Sequence, residues 1–107
     1  MAKDAQSALS SCPSTKLALS GYSQGAMVVH NALSAQGLDG SKVAAIVVYG
    51  DPLNGQSFKG VDSSKVLEIC GSSDTICASG PSNVSGSHLS YSSDTQQGAD
   101  FIVKNAA

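Results

Sequence analysis

A chain of 107 residues has room for one domain and a modest core. Hydrophobic residues make up 41 % and charged residues 13 %, which favours globular folding over disorder. A net charge of -2 leaves no basic patch for nucleic acid, and no apolar run has the length of a membrane span.

Residues 3 to 10 read as a helix or the end of one, with Ala5, Ala8 and Leu9 apolar and Pro13 as the break. Lys16 to Ser20 is a predicted short strand, followed by a turn from Gly21 to Ser23. Gln24 to Ala35 is helical in pattern, with Met27, Val28, Val29, Ala32 and Leu33 apolar on most sides and Gly37 as the stop. A helix that apolar is expected to be buried. Val43 to Gly50 is a β-branched run that reads as a central parallel strand, covered on both faces. Val66 to Ile69 is another short strand. Polar loop follows from Gly71 to Ser90, interrupted by Cys77 and Val84. Ser93 and Gln96 fit a capping box opening a C-terminal amphipathic helix. Strand, helix, strand, strand, helix is an α/β order.

Gly21-Tyr22-Ser23-Gln24-Gly25 fits G-x-S-x-G, the pattern of a nucleophilic serine on a sharp strand-to-helix turn. The bare pattern is weak in a chain this rich in serine and glycine, so its setting carries the reading. Gly21 is expected to let the turn approach its neighbours, and Gly25 to let the helix pack close to the strand. Ser23 is expected on strained backbone at the carboxyl end of the sheet. The N–H groups opening the helix favour negative charge there, as an oxyanion requires.

A serine nucleophile needs a base, and the base needs an orienting acid. His30 lies seven residues along the helix from Ser23, about 10 Å away at 1.5 Å per residue, and is read as structural or surface. His88 lies in the loop before the last helix and fits the order Ser, Asp, His. Asp74 and Asp51 are the candidate acids. Asp74 is preferred because a bridge between Cys70 and Cys77 would brace its loop, whereas Asp51-Pro52 also reads as a turn starter. Asp39, Asp62, Asp94 and Asp100 read as turn, capping or surface residues, and the six lysines as solvated. No His/Cys/Asp/Glu run has metal spacing, and no cofactor or phosphate loop is expected. Three cysteines allow either buried thiols or one short disulfide with Cys12 left over, and a leftover cysteine raises the question of an absent partner.

The stretches "CPSTKLALSGYSQGA", "VVYGDPLNG", "CGSSDTIC" and "SHLSY", in that order, resemble the fungal cutinases, serine esterases with a small α/β-hydrolase fold. The resemblance implies a parallel sheet flanked by helices, with Ser23 as nucleophile, His88 as general base and then acid, and Asp74 orienting His88. It further implies the Gln24 backbone N–H as an oxyanion donor, a Cys70–Cys77 disulfide and a secreted protein needing no cofactor. The chain matches the triad-bearing C-terminal half of such an enzyme. The other half is expected to supply more strands, a second oxyanion donor and a cysteine for Cys12. In its absence the first strand would be an open edge, part of the elbow helix would lose its cover, and full activity would not be expected. Val84 is the clearly apolar residue before His88; with Leu89 and Leu53 it suggests a shallow acyl site suited to short esters. An acetylxylan or related carbohydrate esterase, and an inactive fragment, are the alternatives.

Overall fold

The computed structural model describes residues 1–71, Cys77 and residues 91–106. Asp74, Val84, His88 and Leu89 lie outside the described residues. Three parallel strands form a sheet in the order β1 (Leu17–Tyr22), β2 (Val43–Tyr49), β3 (Val66–Ile69). Helices α1 (Ala2–Ser11), α2 (Gln24–Ser34) and α3 (Thr95–Ala106) flank them. This is the expected α/β arrangement.

β2 is central because its β-branched run can be buried on both sides. Val43, Ala45, Ile46, Val47 and Val48 are all buried. On one face Ile46 and Val48 join Leu19 of β1 and Ala26, Val29, Ala32 and Leu33 of α2; Ala2 and Ala5 of α1 belong to the same cluster. On the other face α3 packs against β2. Gly98 makes that approach possible: a Cβ there would collide with the Tyr49 ring and its hydroxyl, and would lie 3.1 Å from Val47.

Several expectations change in detail. β1 runs on to Tyr22, so the turn is confined to Ser23. α2 is buried along one stripe only, and Met27 and Val28 remain 36 % and 44 % exposed. The strip of sheet that α2 covers is narrower than its apolar girth. The Ser93–Gln96 capping box is replaced by a 3-10 turn over Tyr91–Asp94, after which α3 begins at Thr95. The Gln96 side chain instead donates to Asp100 Oδ1 at 2.9 Å, one helical turn on. Asp39 and Asp62 do cap, each accepting from a backbone N–H two residues ahead.

Candidate active site

Ser23 sits where β1 becomes α2. Its φ of 57° and ψ of -121° make it the only non-glycine residue with positive φ among those described. Such backbone costs on the order of 1–3 kcal/mol and persists only where its surroundings enforce it. Here the Ser23 N–H donates to the Tyr49 carbonyl at 2.9 Å, so β2 holds the residue to the end of the strand ladder. Its carbonyl accepts from the Ala26 N–H at 3.0 Å, so the helix starts at once. The Ser23 side chain makes no cap on its own helix. Gln24 is the first residue of α2, in the turn whose N–H groups have no intrahelical acceptor.

The glycine roles differ from expectation. Gly21, not Gly25, permits the close helix-to-strand packing. A Cβ on Gly21 would lie 2.5 Å from the Gly25 carbonyl group and 2.6 Å from the Ala26 nitrogen. A Cβ on Gly25 would meet nothing within 4 Å. The side chain at 21 points from β1 into α2, as alternation from buried Leu19 requires.

Cys70 and Cys77 form the expected disulfide, with Cα atoms 5.9 Å apart, while Cys12 is an exposed free cysteine. Tyr91 is packed against the bridge. Its hydroxyl accepts from the Gly71 N–H at 2.9 Å and lies 3.6 Å from Cys77 Sγ. Asn54 Nδ2 also reaches the Cys77 carbonyl at 3.3 Å. In "SHLSY" the motif points to His88, and the tyrosine that ends it is the one sequence signal for Tyr91.

Three groups far apart in sequence meet beneath the Asp51 loop. His30 Nε2 and Asp51 Oδ2 are 2.7 Å apart and buried. Asp51 Oδ1 accepts from the Leu53 N–H at 2.8 Å, and the Phe58 ring stacks on His30 at 3.8 Å. Glu68 completes the group, with ligand atoms of the three residues within 4.8 Å of one another. These residues could hold a metal ion, although both Asp51 oxygens are already engaged. Burial, then the hydrogen bond and charge of Asp51, push the Glu68 carboxyl up to about 8. Glu68 is therefore neutral at pH 7, as expected of the second of two adjacent carboxyls. Burial also pushes Asp51 up, but hydrogen bonds from Glu68, His30 and the Leu53 N–H outweigh it and hold it below the usual range. Asp51 is thus more than a turn residue: it is the buried partner of His30. Of the structural or surface placement expected for His30, the buried one is found. Spacing could not reveal the group, since its members come from α2, the loop after β2 and β3.

Depressions flank the elbow. One, of about 410 Å³, is lined by Tyr22, Tyr49 and Tyr91; another, of about 460 Å³, by Gln24, Met27, His30 and Leu53.

With this geometry in view, the relatives can be placed. The family model described as Cutinase matches residues 1–106. The chain belongs to the cutinase family. It is 47 % identical over 105 residues to cutinase cut1 of Trichoderma harzianum, covering 95 % of this chain and 41 % of that protein. It is 46 % identical over 107 residues to the cutinase of Monilinia fructicola, covering 99 % of this chain and 53 % of that one. Among solved structures it resembles a Trichoderma reesei cutinase in complex with a C11Y4 phosphonate inhibitor. The TM-score is 0.88 and the identity 43 %, over all of this chain and 49 % of that one. An acetyl xylan esterase structure gives a TM-score of 0.74 at 26 % identity, over 99 % of this chain and 67 % of the other. The chain spans about half the length of the curated cutinases it matches.

Proposed function

We propose that the chain carries the catalytic residues of a serine esterase acting on carboxylic esters. The observation that carries this reading is the strained backbone of Ser23 at the strand–helix elbow of a cutinase-family fold. In the proposed reaction His88 takes the Ser23 hydroxyl proton as Oγ attacks the ester carbonyl. The Gln24 N–H, at the start of α2, stabilises the oxyanion. His88 then protonates the leaving alcohol, leaving Ser23 acylated. Water, deprotonated by His88, attacks the acyl-enzyme, releasing the acid and restoring Ser23. Asp74 holds the imidazole in the tautomer that accepts the proton. The Cys70–Cys77 bridge supports this assignment, because it links the two cysteines that flank Asp74 in sequence. It also suits an oxidising, extracellular setting.

Cutin-like polyesters or short acyl esters are the proposed substrates, with Val84 and Leu89 contributing to the acyl site. The acetyl xylan esterase likeness favours acetylated xylan as a second reading. Parallel assays on a polyester film and on acetylated xylan separate the two. Exposed Cys12 and the outer edge of β1 fit contact with a further cutinase segment; the match to half-lengths of relatives supports that reading, and disulfide mapping of the protein isolated from its natural source tests it.

A fluorophosphonate serine-hydrolase probe tests the triad directly, because it reacts well only with an activated serine. Labelling mapped to Ser23, and lost in Ser23→Ala and His88→Ala, is expected. Soluble, folded protein that takes no label would show that the chain does not assemble a working triad.

A further inference from the structure

Tyr91 touches the residue before Ser23 and two residues that bracket Asp74 in sequence. It is buried and stands three residues after His88. Its hydroxyl meets Gly71 and Cys77, which bracket Asp74 in sequence. The disulfide sulfur carries no proton, so a hydrogen bond between Tyr91 and Cys77 is donated by the hydroxyl. One hydroxyl thus accepts at one end of the acid-bearing loop and can donate at the other. The ring packs edge-on against Tyr22, the residue before Ser23, with centroids 6.0 Å apart. It makes a similar contact with Tyr49 at 6.1 Å, and the Tyr49 carbonyl holds the Ser23 N–H.

We propose that Tyr91 is a positioning residue, its hydroxyl fastening the Cys70–Cys77 loop while its ring rests on the elbow at Tyr22. This rests on the triad reading above and deepens it. A disulfide alone closes the loop but does not set its place relative to Ser23. Asn54 holds the Cys77 carbonyl from the loop after β2, and the Tyr91 hydroxyl and ring together connect the bridge to the residue before Ser23. Reaction rate is sensitive to such placement: a misplacement of about 1 Å can cost on the order of 100-fold.

Tyr91→Phe is the informative change, because it keeps the ring contacts and removes only the hydroxyl. The expected result on p-nitrophenyl butyrate is a fall in kcat of roughly tenfold or more with KM within about twofold. Amide hydrogen exchange gives a second readout that does not depend on activity. The Gly71 amide should exchange at least about tenfold faster in Tyr91→Phe, with the β2 amides unchanged. Unchanged Gly71 exchange, or faster exchange with unchanged kcat, would overturn the proposal. The fluorophosphonate control separates the two levels. If the unsubstituted chain labels at Ser23 and Tyr91→Phe labels equally fast, only the role of Tyr91 fails. If the unsubstituted chain does not label, the triad reading fails and this proposal with it.

Discussion

Replacing Gly21 with alanine should damage the elbow far more than replacing Gly25, although both are glycines of one motif. The new methyl at 21 would lie 2.5–2.6 Å from backbone atoms of Gly25 and Ala26. Ordinary contact begins near 3.4 Å, so α2 must retreat by almost 1 Å. Overpacking of this kind typically costs 1–3 kcal/mol. The atoms in the way are backbone and cannot rotate aside, so we place Gly21→Ala near the top of that range, at about 3 kcal/mol. Gly25→Ala meets open space and keeps a helical backbone, so it should be neutral or gain up to about 1 kcal/mol in helix propensity. Urea unfolding followed by circular dichroism measures both. The midpoint should fall sharply for Gly21→Ala at unchanged slope, and hold or rise for Gly25→Ala. A loss below about 0.5 kcal/mol at position 21, or equal losses at both positions, would refute the packing argument.

Two further outcomes are expected. Ser23→Gly should abolish probe labelling and, by relieving the positive φ, raise stability by about 1 kcal/mol; a less stable variant would mean that the serine backbone is not strained. Glu68 should make the chain less stable as pH rises. Its carboxyl ionises near 4.5 when unfolded and about 8 when folded, so the folded state binds the extra proton between those values. The stabilisation is complete below about 4.5 and gone above about 8, and it is worth roughly 2 kcal/mol once solvent screening of this half-buried group is allowed for. The lowered Asp51 acts in the opposite sense, but at more acid pH. Unfolding free energies across pH 5–8 should therefore slope downward, and Glu68→Gln should flatten that slope; an equal slope in both proteins would disprove the assignment.

Sequence alone was enough for the order of elements. The β-branched run at Val43–Gly50 reads as a covered strand, and the strand-to-helix change at Ser23 follows from a short apolar stretch, a glycine and a 3.6-residue pattern. The Cys70–Cys77 disulfide was legible through the family resemblance. These are local signals, written within a few residues of one another. What the tertiary structure decided are contacts across the chain. The glycine of the elbow that is crowded by α2, the stripe of α2 that the sheet covers, and the seat of α3 on Tyr49 through Gly98 all depend on which backbone lies opposite. Glu68 carries no sequence signal beyond its place in the strand Val66–Ile69; the fold sets it beside Asp51 and His30, where burial makes a second charge costly. Tyr91 looked like the tail of a histidine motif until the fold put its hydroxyl between Gly71 and Cys77. A residue's type and spacing say what it can do; only its neighbours in space determine whether its proton, its volume or its hydroxyl is put to use.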